Sequence, residues 1–87
     1  MTILWTASAW EEYLHWQSDT KKLAKINSLV KDIMRNGMVK GIGKPELLSG
    51  EFSGFASRRI DQKNRIVYRI ESNQLQIVQC GSHYKDK

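Results

Sequence analysis

The last third of the sequence concentrates side chains that bind anions and transfer protons. It carries Arg58, Arg59, Arg65 and Arg69, and it is followed near the C-terminus by His83-Tyr84. Guanidinium groups bind phosphate oxygens through charge-assisted hydrogen bonds, and an imidazole can exchange a proton near neutral pH. RNA is the ligand that best fits this combination of groups.

Cleavage of RNA without a metal requires a base for the ribose 2′-hydroxyl, a cation for the phosphate charge and an acid for the departing 5′-oxygen. The sequence offers Glu46 as base, Arg65 as phosphate stabiliser and His83 as acid. Tyr84 could stack on a base or hydrogen-bond the phosphate. The remaining candidates for phosphate contacts are Arg58, Arg59 and Lys44, which precedes Pro45 in a rigid Lys-Pro-Glu segment. Basic proteins that bind nucleic acid without cutting it contain the same groups.

Three short apolar runs between Gly54 and Tyr84 alternate with polar residues, a pattern that predicts half-buried strands. The predicted turns between them are residues 61–64 and 71–73. In the middle run one side is formed by Ile66, Tyr68 and Ile70, and the other by Arg65, Val67 and Arg69. Whether Arg58 or Arg59 joins Arg65 stays open, because a slip of one residue in register reverses every side chain.

The first half of the sequence predicts the elements that support this sheet. Thr2 to Trp5 is a predicted strand, and Ser8 with Glu11 forms a capping-box pattern that opens a first helix. A second helix is predicted from Asp19 or Thr20 to Arg35, ended by Asn36-Gly37. Its apolar stripe consists of Leu23, Ile26, Val30, Ile33 and Met34. Residues 38–51 are predicted to be a long loop. The predicted fold is α+β, two N-terminal helices packed on a small, mostly antiparallel sheet, in one domain spanning residues 1–87.

The charge of the chain is unevenly distributed. The net charge is +5, and all 14 basic residues lie beyond residue 20, where they face six acidic ones and give a balance of +8. This asymmetry suits binding to phosphates or to an acidic protein, and it is equally compatible with a solvated basic surface. The single cysteine, Cys80, favours a reducing cytoplasm and is interpreted as a small buried residue. We expect no signal peptide, no membrane span, no metal and no cofactor.

Three motifs together resemble the YoeB toxins, a branch of the RelE/ParE superfamily of bacterial toxin–antitoxin systems. They are Gly43-Lys44-Pro45-Glu46, the stretch Ser53 to Ile60 that contains Ser57-Arg58-Arg59-Ile60, and the terminal His83-Tyr84. The resemblance extends from Trp5 to Tyr84. It departs at Ser49, where relatives can carry a lysine, at Ala56, where a tryptophan can occur, and in the tail formed by residues 85–87.

The resemblance implies an mRNA interferase that enters the ribosomal A site and cuts the message without metal. By position, Glu46 resembles the general base, His83 the general acid and Arg65 the phosphate stabiliser, with Tyr84 and Arg59 supporting them. The implied partners are a YefM-like antitoxin, the 70S ribosome with mRNA, a second copy of the chain in a homodimer, and operator DNA only through the antitoxin complex. Two other hypotheses are a ParE-like inhibitor of DNA gyrase and a non-catalytic nucleic-acid-binding module.

Overall fold

The computed structural model describes residues 1–81, which form two helices and five strands. In chain order the elements are β1 (Thr2–Trp5), α1 (Ala7–His15), a 3-10 turn (Trp16–Ser18), α2 (Thr20–Asn36), β2 (Glu46–Leu47), a second 3-10 turn (Gly50–Phe52), β3 (Ala56–Arg59), β4 (Arg65–Glu71) and β5 (Gln74–Cys80). Within this part of the chain neither helix is long and apolar enough to cross a membrane.

The five strands form one sheet in the order β1-β5-β4-β3-β2. All pairs are antiparallel except β1 with β5, which confirms the predicted α+β fold with a mostly antiparallel sheet. The prediction of a continuous loop over residues 38–51 was wrong in part. Glu46 and Leu47 pair with Ser57 and Ala56, so the candidate base Glu46 lies on an edge strand.

Helix α1 begins two residues earlier than the capping-box pattern indicated. Its N-cap is Thr6, whose hydroxyl accepts a hydrogen bond from the Ala9 amide at 3.1 Å, and not Ser8. Because β1 ends at Trp5, the backbone of Thr6 is still extended, with φ −68° and ψ 161°. An extended residue at the helix entry is the geometry that an N-cap requires.

Helix α2 has the predicted bounds to within one residue. The Asp19 carboxylate accepts from the Lys22 amide at its start, and Gly37 ends it at φ 90°. The buried residues of the helix are Ile26, Leu29, Val30 and Ile33. The predicted stripe was therefore wrong at Met34, which is 38% exposed, and it omitted Leu29. Positions 26, 29, 30 and 33 follow the spacing that keeps one helical face against a core.

The core lies between the helices and one face of the sheet, which we call the inner face. The sheet supplies Ala56, Ile66, Tyr68, Leu75, Ile77 and Cys80 to it. Ile66 and Tyr68 thus lie on the side predicted for them, and Ile70 packs against the same cluster. Since side chains alternate along a strand, Arg65 and Val67 project from the opposite, outer face.

Candidate active site

The outer face of the sheet brings three candidate residues together. Across the strands Glu46 lies opposite Ser57, Ser57 opposite Val67, and Arg59 opposite Arg65. Directly opposite residues project from the same face, as do residues two apart on one strand. Glu46, Arg59 and Arg65 therefore share the outer face, and the strand register selects Arg59 over Arg58 as the neighbour of Arg65.

The spacing of the strands gives the scale of this arrangement. Strands lie about 4.8 Å apart and rise about 3.4 Å per residue, which places the Arg59 and Glu46 Cα atoms about 8 Å apart and the Arg65 and Glu46 Cα atoms about 12 Å apart. A carboxylate on an edge strand thus faces two guanidinium groups on the next two strands. These long side chains can act on different atoms of one bound nucleotide.

Arg65 is half-buried, and its Nη1 atom is buried without a hydrogen-bond partner among the described residues. Ser57 and Val67, its neighbours on the outer face, are also buried. An unsatisfied buried donor costs about 1–3 kcal/mol, and more when it is charged. An oxyanion that reached this nitrogen would supply the acceptor it lacks among the described residues.

Glu46 is exposed and held by the backbone on both sides of it. It pairs with Ser57 across the sheet, and it follows Pro45, whose ring restricts the chain. Just upstream, the Gly43 carbonyl accepts a hydrogen bond from the Arg59 amide at 2.7 Å. Lys44 has the left-handed conformation, with φ 53°. The Lys44–Glu46 segment is thereby fixed against the strand that carries Arg59.

Arg58 lies on the inner face, which is incompatible with the phosphate contact predicted for it. The side chain is fully buried, and its guanidinium forms an ion pair with Asp32. Its Nε donates to the Tyr68 hydroxyl at 2.9 Å. The hydrogen bond from Arg58 holds the pKa of Asp32 below its ordinary value, whereas burial raises the pKa of Tyr68.

The same guanidinium organises the segment that leads to Lys44 and Glu46. Arg58 donates to three backbone carbonyls, those of Gly37 at 2.7 Å, Lys40 at 2.6 Å and Ile42 at 3.1 Å. Asp32 accepts from the Ile42 amide at 3.0 Å, and the Tyr68 hydroxyl donates to the Met38 carbonyl at 2.6 Å. This arginine therefore acts as an internal support around which residues 37–42 fold.

A signal for the inward position of Arg58 was present in the sequence. Ala56, Arg58 and Ile60 occupy every second position along β3 and the residue after it, and both Ala56 and Ile60 are buried. Strict alternation would have placed Arg58 with them on the inner face. The partner roles of Asp32 and Tyr68 carried no such signal, because a lone Asp on a helix and a Tyr on a strand fit many environments.

The end of β5 and the residue after it are held by α1, by the 3-10 turn that follows α1, and by Arg65. The Cys80 amide donates to the Glu12 carboxylate at 2.7 Å, and Trp16 Nε1 donates to the Cys80 carbonyl at 3.1 Å. The Gly81 amide donates to the Arg65 carbonyl at 2.9 Å. The chain thus leaves the sheet beside Arg65. His83 and Tyr84, the predicted acid and its neighbour, lie outside the described residues.

Cys80 is buried, as predicted. Burial, with the nearby Glu12 charge, raises the pKa of its thiol to about 12, so the thiol stays protonated at neutral pH. A protonated thiol is a poor nucleophile and a poor metal ligand. In the described part of the chain, no cluster of three His, Cys, Asp or Glu side chains could hold a metal ion.

Comparison with known families assigns the chain to a protein family. A family model described as "YoeB-like toxin of bacterial type II toxin-antitoxin system" matches residues 5–84. The chain belongs to the YoeB-like toxin family. Toxin YoeB of Streptomyces coelicolor is 49% identical over 85 residues, which cover 97% of this chain and all of the relative. Toxin YoeB of Escherichia coli K12 is 42% identical over the same shares of the two chains.

Solved structures agree with the assignment to the YoeB-like family. A YoeB/ParE toxin from Agrobacterium tumefaciens superimposes with a TM-score of 0.91 at 40% identity, covering 97% of this chain and 100% of the other. The toxin in a heterotetrameric YoeB-YefM complex from Staphylococcus aureus gives 0.89 at 42% identity, covering 97% and 98%. YafQ of Escherichia coli gives 0.77 at 15% identity, covering 93% and 91%, which shows a shared fold.

The assignment confirms the predicted family and makes the chain a toxin of a type II toxin–antitoxin system. The match of the YoeB-like family spans all three sequence motifs, including the terminal His83-Tyr84. The roles of the individual residues stay predictions.

Proposed function

We propose that this YoeB-family toxin is a ribosome-dependent endoribonuclease that cuts mRNA in the A site without a metal. One observation carries the proposal: Glu46, Arg59 and Arg65 share the outer face of the sheet, and Arg65 Nη1 there is buried without a partner among the described residues. A carboxylate facing two cations is the arrangement that a base and a phosphate stabiliser require.

In the proposed reaction the Glu46 carboxylate removes the proton of the ribose 2′-hydroxyl. The 2′-oxygen forms a bond to phosphorus, and Arg65, supported by Arg59, stabilises the charge on the phosphate oxygens. The bond from phosphorus to the 5′-oxygen breaks, and His83 donates the proton that this oxygen takes up. Tyr84 contacts the base or the phosphate. The products are a 2′,3′-cyclic phosphate and a 5′-hydroxyl.

Lys44 adds a cation next to Glu46, and together with Arg59 it attracts the RNA backbone. Arg58 takes no part in binding in this proposal, because its guanidinium is occupied by Asp32 and by backbone carbonyls. Its part is to hold the segment from which Glu46 projects. We place the activity in the cytoplasm, where ribosomes translate.

The proposed partners are a YefM-like antitoxin, a second copy of this chain, and the 70S ribosome with its message. The first two rest on the YoeB-YefM complex and the YoeB dimer of Staphylococcus aureus. The chain offers an apolar surface for such assembly: Trp10 packs on Tyr13 at 5.5 Å between ring centroids and is 45% exposed. We propose that operator DNA is bound only through the antitoxin complex.

The test is single-turnover cleavage of a message on purified 70S ribosomes, with cut positions mapped by primer extension. Glu46→Gln removes the base without changing its size, and we expect cleavage to slow by about 10²–10⁴-fold. Arg65→Ala removes stabilisation of the transition state, and a loss of about 10²–10³-fold is expected. Glu51→Gln, which alters another exposed carboxylate, should cleave at the wild-type rate.

Cleavage in the A site that is lost in Glu46→Gln and His83→Ala would support the nuclease and its acid–base pair. Absence of A-site cuts with the wild-type protein would contradict the proposal. A gyrase supercoiling assay would then test the ParE-like alternative, and ribosome binding without cleavage would indicate a binding module.

A further inference from the structure

A cationic cavity lies at the end of the sheet where β3 turns into β4, between this turn, the loop before β2 and α2. It has a volume of about 320 Å³, against about 180 Å³ for each of two other cavities. Its cations come from three separate parts of the chain, namely Lys25 of α2, Lys44 of the loop before β2, and Arg59 of β3. The remaining lining residues are Gly43, Ile60, Asp61 and Gln62.

The three cations of this cavity have no ion-pair partner within residues 1–81, where the ion pairs are formed by Lys22, Arg58 and Arg69. The carboxylate in the lining, Asp61, is already engaged. It accepts from Lys22 Nζ at 2.9 Å and from the Asn64 amide at 2.7 Å. Burial raises the pKa of Asp61, but these hydrogen bonds outweigh it and lower the pKa overall. The cavity therefore keeps an excess of positive charge.

The backbone around the cavity is fixed before any ligand arrives. A Cβ on Gly43 would lie 2.6 Å from Leu29 Cδ2, so this residue packs directly on α2. The Asp61 carboxylate also accepts from the Lys63 amide at 2.8 Å, which holds the β3–β4 turn. A fixed backbone holds the Cα atoms of these cations in place, which lowers the entropic cost of gathering their side chains around an anion.

We propose that this cavity binds the phosphate of a second RNA linkage, next to the cleaved one on the message strand. The inference rests on the proposed nuclease function and deepens it. Arg59 belongs to both places: it lines the cavity, and it stands opposite Arg65 with about 5 Å between their Cβ atoms. A strand whose cleaved phosphate lies at Arg65 therefore carries a neighbouring phosphate to Lys25 and Lys44.

The first test measures binding to 70S ribosomes carrying a message whose A-site codon is 2′-O-methylated and cannot be cut. Each phosphate contact with a single strand contributes about 0.7 to the slope of log affinity against log salt. We expect Lys25→Gln and Lys44→Gln each to lower this slope by about 0.7–1. Lys21→Gln, an exposed lysine of the same helix outside the cavity lining, should leave it unchanged.

The second test distinguishes the message from ribosomal RNA. Methylphosphonates replace single linkages on either side of the cleaved one, which removes one charge at a time. On the message whose neutral linkage lies in the cavity, wild type and Lys25→Gln should bind equally, because the contact between Lys25 and the phosphate is already lost. Equal slopes for Lys25→Gln and Lys21→Gln would overturn the proposal. So would a Lys25→Gln defect that persists on every methylphosphonate message, which would assign the cavity to ribosomal RNA.

Failure of the nuclease proposal would look different from either result. The binding tests use a message that no 2′-hydroxyl attack can cut, so they do not depend on catalysis. A wild-type protein that binds with the expected salt slopes but leaves the unmodified message intact would contradict the nuclease function alone.

Discussion

Arg58 and Arg59 are neighbours in β3, yet their guanidinium groups lie on opposite faces of the sheet in opposite electrostatic conditions. On the inner face, Arg58 is fully buried and bound by a carboxylate, a phenol and three carbonyls. On the outer face, Arg59 is exposed and lines a cavity with two lysines that have no ion-pair partner among the described residues. The inner charge is satisfied by the fold, whereas the outer charge faces solvent.

This difference separates two uses of one residue type. A buried, fully paired arginine fixes the position of whatever it binds, here the segment from Gly37 to Ile42. An exposed arginine beside other cations is repelled by their charge. A bound anion would relieve this repulsion. The sheet thus lies between a charge that shapes the loop of Glu46 and the charges to which we assign RNA binding.

The largest effect should come from removing the inner charge. Arg58→Met removes the buried donor that serves Tyr68 and three backbone carbonyls, and we expect the free energy of unfolding to fall by about 3–5 kcal/mol. Arg59→Met removes an exposed charge and should change it by about 0.5 kcal/mol or less. Urea unfolding followed by tryptophan fluorescence would measure both. Similar losses in the two variants would erase the distinction between the faces.

An intermediate effect is expected where the loop packs on α2. Gly43→Ala places a Cβ against Leu29 at a residue with φ 81°, and we expect a loss of about 2–4 kcal/mol in unfolding free energy. Gly54→Ala is the matched control, since its φ is 94° but no atom lies within 4 Å of the added Cβ. It should cost about 1–2 kcal/mol.

The two glycine variants also test the supporting role of the loop. Gly43→Ala should slow A-site cleavage as well, because the displaced segment carries Lys44 and Glu46. If Gly54→Ala destabilises the protein as much as Gly43→Ala does, close packing of the loop on α2 is not what holds it.

The smallest effect concerns the acid side of the stability profile. The folded-state pKa of Asp61 lies below its ordinary value of 3.8, so its stabilisation is present above about pH 4 and is lost as the pH falls. Asp61→Asn should lower the unfolding free energy at pH 7 by about 1 kcal/mol, since Lys22 is partly solvated. The difference from wild type should shrink below pH 4. The same difference in unfolding free energy between wild type and Asp61→Asn at pH 7 and at pH 3 would contradict this role.

The sequence predicted the elements better than the connections between them. Periodicity located α2 and the three C-terminal strands, because burial on one face leaves a repeating pattern. The pairing of Glu46 with Ser57 left no such trace, since a strand of two residues has no period. Thr6 was missed as the N-cap because its role depends on where β1 ends, which the pairing of β1 with β5 determines.

For the candidate site, the residue types could be chosen from the sequence, but the face of the sheet on which each residue lies came from the structure. Glu46 and Arg65 could be chosen from chemistry and resemblance, but only the register of β3 on β4 places Arg59 opposite Arg65. The grouping of Lys25 with Lys44 and Arg59 depends on how α2 packs across the sheet, which no local pattern records. The long loop was expected to be irregular, whereas a buried charge from a later strand holds it in place.

The parallel pairing of β1 with β5 has a consequence for how the protein is made. Thr2 pairs with Gln74, so β1 is synthesised long before β5, the strand that pairs with it in the sheet. Such distant pairings are slow to form because a long loop must close first. During translation the sheet stays incomplete until β5 has left the exit tunnel. A truncated nascent chain that stops before β5 would therefore have neither a paired first strand nor the exit point beside Arg65.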